Sequence, residues 1–341
     1  MSEESSIKKQ FYENNPMYVD DSFDRSLWKL SKPEDLEVDG SVLLKGEQEL
    51  EKSPSILSYL VIRNGTIVWE KYFNESKVNY SYNIHSASKG ILSALVGIAL
   101  KQGFIESLDE EIYRLLPKYS YKDKDTKKIT LRHLLSMTAG FEWDEDVTES
   151  KIEKKKDWIQ AILDLPLNTN PGESFKYCTG QSHVISAILT EKTGMTTFAF
   201  AKKYLLEQIG ITVEHWGSDP QGIFSGGYNV YMTARELGQF ALLYLNKGLL
   251  DGTSVISEDW VRQSLTRYNK VDSTYWYGYH WWILSFNDLE VYKLWGHGGQ
   301  FGYIIPKLDI VVILTADTNQ EIKELNGDQF VSRYIIPAVI K

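Results

Sequence analysis

The sequence predicts a mixed α/β (α+β) fold: an antiparallel sheet assembled from both termini and flanked by helices, with a mainly helical lobe inserted between its two halves. Three observations carry this. Strand-period runs lie at Tyr59–Tyr72 and again between Gly278 and Leu314, while residues from Leu108 to about Leu265 have helical spacing. Asn64-Gly65 separates two runs of β-branched and aromatic residues, the strongest short-range hairpin signal.

In chain order, residues 1–45 are polar with weak periodicity and read as an extension laid over the main body, which spans 46–341. Ordered structure is expected from Tyr59-Leu60-Val61-Ile62, and Thr66–Tyr72 completes the hairpin. The segment opening at His85 leads into an apolar run reaching Leu100. Its Ile91, Leu92, Leu95, Val96, Ile98 and Ala99 surround almost the whole helix, which marks a buried central helix. Ile129–Met137 has a threonine cap and helical spacing. Gln181–Thr193 and Thr197–Leu206 read as amphipathic helices, and Thr233–Leu245 as a capped one ending before Gly248. Strands follow at Gly278–Leu284, Val291–Trp295, Tyr303–Ile305 and Ile310–Leu314, with Pro306-Lys307-Leu308-Asp309 as the last turn. Phe330–Ile340 is a candidate closing helix. The sheet lobe is thus expected at about 46–107 and 270–341, the helical lobe at about 108–269, and a cleft where they meet.

Composition narrows the function. The chain has 341 residues, 43% of them hydrophobic and 24% charged, with a net charge of −9 from 37 basic and 46 acidic residues. That balance repels polyanions, and no basic stripe offsets it, so nucleic-acid binding is not expected. Lys151–Lys156 reads as a solvated face. No apolar run approaches the ~20 residues of a membrane-spanning helix. One cysteine, Cys178, excludes internal disulfides and thiolate-rich metal sites; the six histidines are scattered. Neither a metal nor a cofactor is implied. The polar start Met1–Ser6 lacks the core of a secretory signal, so the chain as given reads as cytoplasmic, or as secreted or surface-anchored had a signal preceded it.

Chemistry is suggested by His85-Ser86-Ala87-Ser88-Lys89. A serine and a lysine three apart share a helix face, and a lysine held neutral there takes the serine's proton. Ser5/Lys8, Ser6/Lys9 and Ser26/Lys29 have the same spacing, and Ser86 could equally serve as a helix cap. No G-x-S-x-G elbow occurs. Further on stand Pro171-Gly172-Glu173-Ser174-Phe175-Lys176-Tyr177-Cys178-Thr179 and Gly296-His297-Gly298-Gly299-Gln300.

In this order the chain resembles the serine β-lactamase and penicillin-binding-protein superfamily, in its class C-like branch with esterases, D-amino-acid peptidases and 6-aminohexanoate-dimer hydrolases. Ile129–Gly140, Gly226-Gly227, Thr233–Leu237 and Pro306–Asp309 extend the resemblance over about residues 45–320. It implies a β-lactamase/transpeptidase-like fold in which Ser86 is the acylated nucleophile, Lys89 accepts its proton and Tyr177 passes a proton to the leaving group. It also implies an oxyanion hole from the backbone N–H groups of Ser86 and Gln300, the latter on an edge strand, with Thr179, His297, Gly298 and Gly299 binding substrate. Tyr12 and Tyr244 offer stricter Y-x-N matches, and His215-Trp216-Gly217 a second H-x-G. Tyr177 is preferred for its Pro-Gly lead-in, and His297-Gly298-Gly299 for its paired glycines.

Two departures bear on substrate. The second motif ends in Thr179 where the family has asparagine or serine, and the third begins with His297 where true β-lactamases have lysine. Losing a fixed cation weakens the pull on a substrate carboxylate. The expectation is a small-molecule ester or amide substrate and esterase or small amidase activity rather than efficient β-lactamase. The alternatives are a D-stereospecific peptidase or penicillin-binding protein, and a non-catalytic sensor or scaffold. Oligomeric state is not legible. Trp143, Tyr228, Tyr275, Trp276, Trp281 and Trp295 are candidates for the pocket wall or, equally, for the core. Ser88 and Cys178 read as packing.

Overall fold

In the computed structural model, which describes residues 17–18, 28–320 and 326–339, Asn64 and Gly65 take φ of 49° and 69°. Two left-handed residues in succession match the right-handed twist of the strands they join, and the hairpin forms as expected. In chain order the strands are β1 (Met17–Tyr18), β2 (Lys29–Leu30), β3 (Ile56–Arg63), β4 (Thr66–Tyr72), β5 (Tyr80–Asn83), β6 (Tyr231–Met232), β7 (Leu249–Leu250) and β8 (Thr253–Ser254). They continue with β9 (Asn269–Lys270), β10 (Trp276–Tyr277), β11 (Trp282–Phe286), β12 (Leu289–Gly296), β13 (Gln300–Ile305) and β14 (Ile310–Ala316).

Nine of these form one sheet in the order β2-β4-β3-β14-β13-β12-β11-β10-β9. Every pairing is antiparallel except that of β2 with β4. The amino-terminal hairpin and the carboxy-terminal strands thus meet at β3 and β14, and the segment between them is mostly helical. β14 is buried along its whole length, which is why it is a continuous apolar run.

Helices cover both faces. The helix Lys89–Lys101 and the helix Thr179–Thr193 pack together on one side. The helix Ala234–Leu245 is seated directly on the sheet there, where a Cβ on Gly238 would fall 2.9 Å from Ile62 and 3.2 Å from Leu60. Removing a side chain of leucine or isoleucine size from water contributes about 1.5–3 kcal/mol, so the fully buried Ile91, Leu92, Leu95 and Val96 anchor the Lys89 helix firmly. The opposite face is covered by the helix Gly40–Leu50 and a helical run from Gly327 to Ala338. Side chains alternate across a strand, and on β12 Leu294 joins the first core while Trp295 packs against the second.

Several elements differ from the sequence reading. The helix Gly40–Leu50 lies within the stretch read partly as an extension; its Leu43 and Leu50 are core residues. The Thr179 helix is not amphipathic: Thr179 through Leu189 are all buried, because helices surround it. β11 starts at Trp282, not Gly278, since His280 takes φ of 64°. Neither His297-Gly298-Gly299 nor Gln300 lies on an edge strand. The three residues form the turn joining β12 to β13, with φ of 76° and 103° at the two glycines, and both strands are interior. No helix of the described residues is long and apolar enough to cross a membrane.

Candidate active site

The segment carrying Ser86 is fixed by its neighbours before any helix begins. His85 has φ of 47°; its N–H donates to Asn83 Oδ1 at 2.9 Å, and the same oxygen accepts from Asn229 N at 3.1 Å. A 3₁₀ turn, His85–Ser88, then runs directly into the helix starting at Lys89. Ser86 is not a helix cap: it lies inside this turn, and Ser88, at the N-cap position, makes no capping hydrogen bond. Ser88 is buried with its hydroxyl unpartnered, as expected of packing. Within the turn Lys89 Nζ stands 2.8 Å from Ser86 Oγ. Ser86 is half-buried, whereas Lys89 is 1% exposed.

The partners of Lys89 are neutral. Its Nζ donates to Thr179 Oγ1 at 3.0 Å and to the Gly227 carbonyl at 3.2 Å, and lies 5.0 Å from the centroid of the Tyr177 ring. Position 227 requires glycine, because a Cβ there would come within 2.9 Å of the Lys89 nitrogen. Tyr177 is held by aromatic contacts, stacked on Trp282 at 5.6 Å and edge-on to Tyr277 at 6.2 Å. Thr179 reaches past Lys89 to Glu145: its hydroxyl donates to Oε2 at 2.7 Å and its N–H to Oε1 at 2.8 Å, and Trp143 Nε1 donates to Oε1 at 2.7 Å.

Titration around this group follows burial. His85 is pulled down to about 3, first by burial and then by His297 and Lys89, so it is neutral at ordinary pH. His280 is likewise pulled down to about 3 by burial and then by Lys89; its Nε2 lies 3.2 Å from Ser182 Oγ. Glu149 is pushed up to about 8 by burial, then by Glu145, so at neutral pH it mostly keeps its proton.

Of the residues singled out in the sequence, Ser86, Lys89, Tyr177 and Thr179 are brought together. Gly296 touches the nucleophile segment, a Cβ there falling 2.2 Å from the Ile84 carbonyl, and the exposed His297 ring lies 5.8 Å from that of His85. Gln300 is fully buried and faces β14: its Nε2 donates to the Ala316 carbonyl and its Oε1 accepts from Ala316 N. Gly298 and Gly299 line, with Tyr275, Trp295 and Lys293, a cavity of about 530 Å³ beside the turn. Tyr244 is a core residue packed at a tilt on Trp281. Tyr12, Ser5, Lys8, Ser6, Lys9 and Ser26 lie outside the described residues. His215 packs on Tyr231, and Cys178 is wholly buried, which pushes its thiol up and removes it as a nucleophile. Of the suspected aromatics, Tyr275 and Trp295 line the cavity, Trp143 binds Glu145, Tyr228 donates to Glu153, Trp276 is half-buried on β10 and Trp281 is core. Glu145, His85 and Trp282 carry no signal of their own in the sequence; only the fold brings them here.

A family model described as Beta-lactamase matches residues 50–332. The 6-aminohexanoate-dimer hydrolase of Paenarthrobacter ureafaciens is 23% identical over 299 residues, covering 78% of this chain and 74% of that protein. A solved structure from Bacillus anthracis, provisionally named a 6-aminohexanoate-dimer hydrolase, superimposes with a TM-score of 0.76 at 20% identity, over 97% of this chain and 91% of its own. EstCE1, described as a hydrolase with promiscuous acyltransferase activity, gives 0.72 at 14% identity, over 91% and 99%. At these identities the structural likenesses establish the fold.

Proposed function

The chain belongs to the beta-lactamase family, and from that premise we propose that it is a serine hydrolase cleaving an ester or small amide through an acyl-enzyme on Ser86. One observation carries the reading: a buried lysine amine 2.8 Å from the hydroxyl of a half-buried serine, with only neutral groups as its direct partners. Ser86 Oγ attacks the substrate carbonyl and its proton passes to Lys89 Nζ. The tetrahedral oxyanion is held by the Ser86 N–H at the start of the helical segment. The second donor is the backbone N–H of Gln300, at the start of β13. The contacts of Gly296 with Ile84 and of His297 with His85 hold the turn before it against the nucleophile segment, and the Gln300 side-chain amide is engaged separately by Ala316. Collapse of the intermediate expels the alcohol or amine, protonated through Tyr177, and leaves the acyl group on Ser86. Water, deprotonated by the same groups, then releases the acid.

The site offers little to a β-lactam carboxylate. His297 stands where the family resemblance places lysine, and the nearby Lys293 is buried and paired with Asp328 at 2.8 Å. The likeness to a 6-aminohexanoate-dimer hydrolase and to a hydrolase with promiscuous acyltransferase activity supports acyl chemistry on substrates other than β-lactams.

Turnover of p-nitrophenyl acetate or butyrate tests the reading. Ser86→Ala should lower it by at least ~10³-fold, the scale of losing a nucleophile; full activity in that variant refutes the mechanism. Labelling with a fluorophosphonate should place the adduct on Ser86, and an adduct on Cys178 overturns the assignment.

A further inference from the structure

The sequence shows Thr179 where the family has asparagine or serine, apparently a loss. In the structure the hydroxyl of Thr179 is instead the middle of a chain running from Lys89 Nζ (3.0 Å) to Glu145 Oε2 (2.7 Å). We infer that Glu145 is a positioning residue that sets the direction of the hydrogen bonds around Lys89 and so keeps the lysine's lone pair aimed at Ser86. The inference rests on the reading of Ser86 and Lys89 as nucleophile and base.

The argument is one of donor counting. A threonine hydroxyl has a single proton to give, and a carboxylate can only accept. Glu145 accepts three hydrogen bonds, from Trp143 Nε1 and Thr179 N on Oε1 and from Thr179 Oγ1 on Oε2. A carboxylate taking these three donors has no proton to give back to any of them. The Thr179 proton is therefore committed to Glu145, and toward Lys89 the hydroxyl can only accept. The Gly227 carbonyl is also an acceptor. A neutral amine has two N–H bonds and one lone pair. With both N–H bonds engaged by Thr179 and Gly227, the lone pair is left for the hydroxyl proton of Ser86 at 2.8 Å, which is the arrangement proton transfer requires.

Replacing the carboxylate by its isosteric amide reverses this. In Glu145→Gln the amide oxygen can still receive Trp143 and the Thr179 N–H, but the NH₂ group must take the other position and donate to Thr179 Oγ1. The hydroxyl proton then turns toward Lys89 and occupies the lone pair, and an N–H bond faces Ser86 in its place. Fold and substrate contacts are kept while the base points the wrong way.

The test is a double-mutant cycle on the full chain, reading the rate of Ser86 acylation by a p-nitrophenyl ester together with KM and the thermal midpoint. Glu145→Gln should slow acylation by about a hundredfold or more, the usual worth of a positioned general base, with KM within about threefold. Thr179→Val removes the misdirected proton along with the hydroxyl, so alone it should be the milder change. Adding Glu145→Gln to it should cost less than about threefold more, a strongly non-additive pair. Thr179→Ser, which keeps the hydroxyl, should acylate faster than Thr179→Val. Wild-type acylation in Glu145→Gln, an equal loss in both backgrounds, or a Thr179→Val as damaging as Glu145→Gln overturns the inference. Each of those results counts against Glu145 only while Ser86→Ala is inactive; an active Ser86→Ala removes the underlying mechanism instead.

Discussion

Lys89 and Lys293 are equally inaccessible, at 1% and 2% exposure, yet they are treated in opposite ways on the two faces of the sheet. Lys293 is ion-paired with Asp328 at 2.8 Å and lies 3.8 Å from the Trp295 ring centroid and 4.7 Å from that of Phe301. Asp328 in turn accepts from Tyr303 at 2.7 Å and from Tyr275. Burial holds the Lys293 ammonium below its usual range even against the pull of that carboxylate. Lys89 has no carboxylate in contact; its partners are two hydroxyls and a carbonyl, and the nearest negative charge on its Thr179 side is one hydroxyl removed. A buried lysine paired directly with a carboxylate is a structural cation. A buried lysine among neutral acceptors can give up its proton and take another, and the contrast separates the base from its lookalike better than burial does.

Exchanging each lysine for methionine should break the comparison most sharply. Lys89→Met removes the proton acceptor and should lower ester turnover on the order of 10³-fold, with the fold kept as judged by circular dichroism; turnover near the parent's would show that Lys89 is not the base. Lys293→Met should do the reverse. It strands Asp328 in a largely buried position and should cost about 3 kcal/mol or more in urea unfolding, while activity per folded molecule stays within about twofold, since no proposed step passes through it. A stability loss from Lys89→Met exceeding that of Lys293→Met would reverse the two roles.

Glu149 supplies the smallest effect and sharpens the electrostatics on the catalytic side. Its folded value of about 8 stands above the 4.5 of a free glutamate. Between those pH values the folded chain binds a proton that the unfolded chain has released, so this group's contribution to stability falls as pH rises through the window. Glu149→Gln cannot ionise and is spared the loss. From pH 5 to pH 8 the thermal midpoint of the parent should drop relative to the variant by roughly 1–3 °C. Parallel midpoints across that range would mean that Glu149 is not held protonated.

Much of this was legible in the residues. The Asn64-Gly65 hairpin, the apolar-all-round helix after Lys89, the capped helix after Thr233 and the run Ile310–Leu314 are set by local geometry and pattern, and each formed where the sequence indicated. The Ser86-Lys89 spacing is also local. Motif resemblance pointed to Tyr177 and Thr179 across some ninety residues of chain, but not to how they meet Lys89. The helix Gly40–Leu50 escaped because its apolar positions are few, and Gly46 matters only through its packing on Phe330 and Tyr334.

The sequence by itself determined the hairpin of β3 and β4, the strands about Val291–Trp295, Tyr303–Ile305 and Ile310–Leu314, the buried helix and the serine-lysine pair, since these depend on neighbours within a few turns of the chain. Only the tertiary structure decided that His297-Gly298-Gly299 is a turn between interior strands, that the Gln300 side chain pairs with Ala316, that Trp282 supports Tyr177 and that Glu145 closes on Thr179. Those outcomes depend on which elements pack side by side, and on where a single hydroxyl proton must go once a carboxylate lies within reach. Neither is written in the spacing of residues along one strand or helix.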